Sequence, residues 1–223
     1  MVWRMLTDQE PPGVVTAIEP DPRRAASVRV STSAGVVYTI PADRVASLGL
    51  APGVLLDEAR ASSVAAAADE EAALRAGLSA LGRRGFARAD LLRRLRRRGH
   101  PENAAESALA RLDAMGLLDD LRYARTYVDT RAERGRGPLR LKRDLLALGV
   151  QGSVIEQALR SRWPSGDVEP EVPRTLALRR SRQLGELPRL TKRRRLLAYL
   201  ARRGYTGRSA NEAVSHALAA DRL

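Results

Sequence analysis

A chain of 223 residues with 44% hydrophobic content is long enough to bury a substantial core, in one large domain or two small ones. It has no cysteine, which excludes disulfides, thiolate metal sites and thiol nucleophiles together, and it has no run of 18 apolar residues, so no transmembrane helix is expected. The formal charge of +13 is unevenly placed: residues 1–70 carry 6 basic and 9 acidic side chains, residues 71–223 carry 33 and 17.

Such asymmetry suits a surface that meets a polyanion or an acidic protein groove. Arginine supplies 37 of the 39 basic residues, so a coding bias toward arginine is the competing origin of the excess. The N-terminal "MVWRMLTDQEPPG" lacks the charged-then-apolar design of a signal peptide, and a cytoplasmic protein is expected.

In chain order, "GVVTAI", "ASVRVST" and "GVVYTI" within residues 13–40 are rich in β-branched residues and broken by "EPDPRR" and "SAG", which predicts a small meander. "PADRVASLGL" then reads as a short helix entered through Pro41. From about residue 60 the pattern is helical to the end. Gly85, Gly99, Gly116, Gly149 and Gly204 each follow an apolar-periodic stretch, as helix C-terminal caps do.

Three of these glycines sit in a repeat. Eight residues before Gly99, Gly149 and Gly204 lie Leu91, Leu141 and Leu196, and four before lie Leu95, Leu145 and Leu200. Nine and ten residues after them lie Ala108-Leu109, Ala158-Leu159 and Ala213-Val214. The copies are 50 and 55 residues apart, close to the spacing of helical repeats. Leu91, Leu92 and Leu95 fall within about 100° on a helical wheel, which leaves Arg93 and Arg97 on the solvent side.

The expected fold is therefore mainly α, an elongated array of three three-helix repeats preceded by a small β-rich module. The module is placed at 1–60 and the repeats at 68–116, 117–163 and 174–223, with an acidic, proline-rich linker at 164–173. Helices are predicted at about 70–84, 87–98, 101–114, 120–133, 138–148, 151–162, 174–185, 190–203 and 208–220. Three units side by side reach on the order of 60 Å, at about 1.5 Å per helical residue.

Enzyme signatures are scarce. No phosphate-binding glycine loop is present, and the only histidines, His100 and His216, have no partner at metal-ligand spacing. Asp119-Asp120 is read as a helix cap rather than an acid pair. No catalytic residue, metal or cofactor is expected. The basic clusters carry the functional signal, because arginine pairs bidentately with phosphate or carboxylate.

Residues 117–159, "LLDDLRYARTYVDTRAERGRGPLRLKRDLLALGVQGSVIEQAL", hold Asp120, Tyr123-Ala124, Arg131, a basic glycine-bearing turn, Asp144-Leu145 and Gly149-Val150 in an order that resembles the central repeat of RecX, the bacterial regulator of the RecA recombinase. "LLRRLRRRGHPENAAESALARLDAMGLLDD" is similar to the first repeat and "KRRRLLAYLARRGY" to the third, and residues 10–58 are similar to the β module of some members. The resemblance implies a non-enzymatic regulator lodged in the groove of a RecA filament on single-stranded DNA. There it lowers strand exchange, ATP hydrolysis and co-protease activity by limiting filament growth or promoting disassembly, within DNA repair and the SOS response. The expected partners are the RecA filament and single- or double-stranded DNA, with no membrane and a monomeric chain. The candidate contacts are Arg93, Arg97, Arg125, Arg134, Arg136, Arg140 and Arg143. The residues alone also suit a general DNA-binding protein without RecA dependence, and less well a scaffold for an unrelated acidic protein.

Overall fold

The computed structural model describes residues 13–164 and 170–220; residues 1–12 of the stretch read above for a leader, residues 165–169 of the expected linker and residues 221–223 lie outside them. Three strands, β1 (Val15–Asp21), β2 (Arg24–Thr32) and β3 (Val37–Pro41), form an antiparallel sheet in the order β1-β2-β3. The first break is narrower than expected. β1 runs through Glu19 and Pro20, and the Arg23 amide donates to Asp21 Oδ1 (2.8 Å) to close a turn at Pro22-Arg23. An edge strand tolerates Pro20, because its missing N–H is not needed in the ladder, and a register shift follows at once between Pro20 and Asp21. α1 is one turn, Arg44–Ser47.

α2 (Glu58–Leu81) starts about twelve residues earlier than the predicted 70–84. Asp57 caps it by accepting from the Arg60 amide (2.8 Å), and the alanine-rich run that follows contains no breaker. Residues 61–67, between the expected β module and the first repeat, lie inside this continuous helix. Val64 and Ala67 complete the sheet's core with Val15, Val30, Ile40, Leu50 and Leu56. Farther along, a Cβ at Gly77 would stand 2.7 Å from Leu112 Cδ1, so the C-terminal half of α2 lies close against α4 (Glu102–Ala114). Gly85 is not the cap of α2, which ends at Leu81 with Gly82 as its C-cap.

The other helices are α3 (Arg88–Arg97), α5 (Asp120–Ala132), α6 (Pro138–Ala147), α7 (Gly152–Arg162), α8 (Glu171–Leu184), α9 (Arg189–Arg203) and α10 (Gly207–Ala220). From α3 onward their ends agree with the predicted ranges to within one residue, apart from the start of α8. That helix begins at Glu171, so the last three residues assigned to the linker are helical. Pro173 is accepted in the first turn, where its absent N–H has no partner to lose.

The repeat is built as its spacing requires. Leu91, Leu95, Leu141, Leu145, Leu196 and Leu200 are all fully buried. Gly149 has φ +84, a conformation open to glycine alone at little cost. There its amide donates to the Leu146 carbonyl (2.9 Å) and the Val150 amide to that of Leu145 (3.1 Å). Gly99 and Gly204 close α3 and α9 with the same pair of bonds. In each repeat the first and third helices, α2 and α4, α5 and α7, α8 and α10, make the largest contact.

Packing divides the chain into two compact units, Met1–Gly85 with Leu91–Leu118, and Phe86–Asp90 with Asp119–Leu223. The first holds the sheet, α1, α2, α4 and most of α3. The second holds α5 to α10, with one core of Val128, Leu141, Leu145, Ile155 and Trp163 and another of Leu196, Leu200, Tyr205, Val214 and Leu218. No helix among the described residues is long and apolar enough to cross a membrane.

Two expectations follow for the first unit. The buried Glu71 carboxylate accepts from Ser27 Oγ at 2.9 Å and lies 3.9 Å from Arg111 Nη1, tying β2, α2 and α4 together. Ser27→Ala strips a donor from a buried charge and is expected to cost about 1–3 kcal/mol, seen as faster amide exchange in β2 and mid-α2 with α6 and α7 unchanged. Burial holds the His100 imidazole below its ordinary 6.5, aided by Arg98 and Arg75 and opposed by Asp69. In the window just below 6.5 the unfolded chain binds the proton more readily, so the unit loses stability as pH falls from about 7 to about 5. Asp69, raised from 3.8 mainly by burial, contributes with the opposite sign as pH rises from there. Thermal unfolding of wild type and His100→Asn across this range checks the sign: the slope is expected to flatten in the variant.

Candidate anion-binding interface

The "ERGRG" turn and α6 set most of the site. With Leu141 and Leu145 facing inward, Arg140 and Arg143 project to solvent one turn apart. Asp144, mostly buried, uses both carboxylate oxygens to hold two guanidinium groups: Oδ2 accepts from Arg136 Nη1 at 2.7 Å, and Oδ1 pairs with Arg140 Nε at 2.9 Å. This bracing fixes the orientation of both forks.

α9 supplies the rest. The Gly137 amide donates to the Arg203 carbonyl (2.7 Å) and the Leu139 amide to that of Gly204 (3.4 Å). A Cβ at Gly137 would stand 2.6 Å from the Gly204 oxygen, and one at Gly204 only 2.3 Å from the Arg140 nitrogen. The start of α6 and the end of α9 thus meet backbone to backbone, which only glycine at both positions allows. Beneath them Tyr205 is buried, and desolvation pushes its hydroxyl up to about 12 against the opposing pull of Arg203 and Arg162, so the ring stays neutral.

This contact gathers Arg134, Arg136, Arg140, Arg202 and Arg203 around one concavity of about 350 Å³. Arg203 Nη1 also donates to the Arg134 carbonyl (3.4 Å), and its guanidinium lies 5.2 Å from the centre of the Tyr199 ring. Arg180 lies over the same ring at 5.8 Å. Five permanently charged groups with one bracing carboxylate can bind an oxyanion but cannot shuttle a proton.

Of the seven arginines predicted from sequence, the structure brings Arg134, Arg136 and Arg140 together here. Arg143 is exposed on α6, where its Nε donates to the Leu139 carbonyl (3.4 Å), and Arg125 is exposed on α5; neither lines the concavity. Arg93 and Arg97 are exposed on α3 in the first unit. Arg202 and Arg203 were missed as contacts although they form a visible basic pair before a repeat glycine. The signal that would have found them is Gly137 facing Gly204, which no periodicity shows.

The remaining polar candidates have structural roles or none that the geometry reveals. Asp119 caps α5 by accepting from the Arg122 amide (2.9 Å), while Asp120 accepts from the Arg88 amide (2.8 Å) at the start of α3. The pair therefore caps two different helices. His216 is exposed on α10, and no group of three His, Asp or Glu side chains among the described residues is arranged to hold a metal ion.

Known proteins are similar along much of the chain. The family model described as "RecX, second three-helix domain" matches residues 119–159. The regulatory protein RecX of Stenotrophomonas maltophilia is 35% identical over 147 residues, spanning 66% of this chain and 88% of that one. The RecX proteins of Thermus thermophilus and Pseudomonas savastanoi are 49% and 43% identical over shorter stretches, 39% of this chain and only 60% and 56% of their own lengths. A crystal structure of regulatory protein RecX superimposes with a TM-score of 0.72 at 24% identity, covering 91% of this chain and 98% of that one. RecX from Lactobacillus salivarius gives 0.59 at 20%, covering 70% and 98%. Those two likenesses concern the fold, and they agree with the mainly helical repeat architecture expected from the leucine–glycine spacing. The match across most of the Stenotrophomonas protein concerns ancestry: this chain belongs to the RecX family of regulatory proteins.

Proposed function

We propose that this chain regulates the RecA recombinase by binding the groove of the RecA filament on single-stranded DNA, where it limits filament growth or promotes disassembly. Strand exchange, ATP hydrolysis by RecA and co-protease activity all fall as a result. The chain acts as a monomer in the cytoplasm and contributes binding energy rather than chemistry. Its repeats at 68–116, 117–163 and 174–223 present the contact surface, with Arg93, Arg97, Arg125, Arg134, Arg136, Arg140 and Arg143 facing the filament. The observation that carries this reading is the set of guanidinium groups held outward by buried leucines and, at Arg136 and Arg140, braced by Asp144. A ligand that binds filament states unequally shifts their balance with no further device. The relatives' name, regulatory protein RecX, supports it.

The same arginines favour a second reading, a DNA-binding protein indifferent to RecA. Titrating the chain into RecA hydrolysing ATP on single-stranded DNA, at two salt concentrations and beside a DNA-binding curve without RecA, separates the two. Inhibition is expected well below one chain per RecA subunit, and it should survive salt that abolishes free DNA binding. Inhibition that tracks DNA occupancy instead, with a log–log salt slope of about −0.7 to −0.9 per phosphate neutralised, would leave only the second reading.

A further inference from the structure

The concavity between α6 and α9 is assembled from two repeats: Arg134, Arg136 and Arg140 belong to the second, Arg202 and Arg203 to the third. Bringing five like charges together opposes the docking that creates the site. Asp144 answers two of them, while the contact itself is held by the Gly137 and Leu139 amides on the carbonyls of Arg203 and Gly204. An anion seated among the guanidinium groups removes the repulsion, so its binding and the docking of the two helices reinforce each other.

We infer that this junction is a phosphate site for the backbone of a single-stranded nucleic acid, and that occupation clamps the third repeat onto the second. The inference deepens the filament reading and rests on it only for the identity of the strand. Charge density favours a nucleic acid over an acidic peptide. Phosphodiesters are obligatory and closely spaced along a strand, whereas carboxylates sit on separate side chains that must be ordered to converge. The nearby aromatic ring, Tyr199, already lies beside the guanidinium groups of Arg180 and Arg203. The contact is therefore with phosphates rather than with a stacked base, and it carries no sequence preference.

The test uses the full chain without RecA, with oligothymidylate, tripolyphosphate and oligoglutamate as probes. Affinity is read by anisotropy or calorimetry, and docking by hydrogen exchange at the Gly137 and Leu139 amides. Oligothymidylate is expected to slow exchange at both amides tenfold or more. Arg140→Gln with Arg202→Gln should lose at least tenfold in affinity together with that protection. Arg160→Gln with Arg194→Gln, equal in charge and outside the concavity, should lose less than threefold. Gly204→Ala keeps every arginine but forces α6 from α9, and it should lose affinity and protection while retaining its helical circular dichroism. If that variant does not fold, the arginine pairs decide alone.

Equal losses in the two double variants, or unchanged exchange at saturating oligothymidylate, would overturn the site or the clamp. Tripolyphosphate matching oligothymidylate at equal charge would assign the site to free oligophosphate, and oligoglutamate matching it would assign the site to an acidic peptide; either overturns the nucleic-acid assignment. If oligothymidylate clamps the junction while RecA hydrolysis is untouched, the filament reading fails and the site stands. The reverse result leaves the filament reading and removes the site.

Discussion

The structure depends on one local closure repeated three times: a pair of buried leucines one turn apart, ended by a glycine in the left-handed conformation. The second leucine of each pair serves twice. Its side chain fills the core, and its carbonyl accepts the amide that follows the glycine, from His100, Val150 or Tyr205. Because the helix stops at a fixed distance from its buried leucine, the next helix starts at a fixed place. Ala108-Leu109, Ala158-Leu159 and Ala213-Val214 consequently all fall inside. Burial of leucines at i and i+4 also leaves Arg93 and Arg143, on the far sides of α3 and α6, exposed.

Arginine rather than lysine suits what those exteriors do. A guanidinium is planar and weakly hydrated, so it can lie on a ring and keep its charge. Arg131 does so 3.7 Å from the centre of Tyr127, itself paired with Tyr123 at 6.0 Å. Arg180 and Arg203 do the same at Tyr199. Elsewhere the fork is braced by a carboxylate, as Asp144 braces Arg136 and Arg140. In each case the side chain loses freedom before any ligand arrives, which lowers the ordering cost of binding.

Much of this was legible in the sequence because it is local. The leucine–glycine spacing locates the helices of the second and third repeats almost residue by residue, and the wheel sorts arginines from leucines. The helical character from about residue 60 was legible, but the first repeat helix was placed only at 70–84, since an alanine-rich run shows no apolar stripe to mark its start and the signal that does is the Asp57 cap. Pro173 was assigned to the proline-rich linker and is a first-turn proline. The arginine cluster failed for a different reason. Arg134 and Arg203 are 69 residues apart and meet only because two glycines let two backbones touch. Exposure follows from a helical period; convergence follows from tertiary contact, which the period does not encode.

The length of α2 sets a limit on how this protein can be dissected. Its N-terminal half finishes the core of the sheet through Val64 and Ala67, and its C-terminal half packs on α4 through Gly77. Glu71, near the middle, is held by Ser27 of the sheet. A fragment cut where the composition changes would split a single rod, leaving the sheet without its floor and the first repeat with a bereft carboxylate. In this chain sheet and first repeat share that rod, so a cut inside Glu58–Leu81 exposes the core of both.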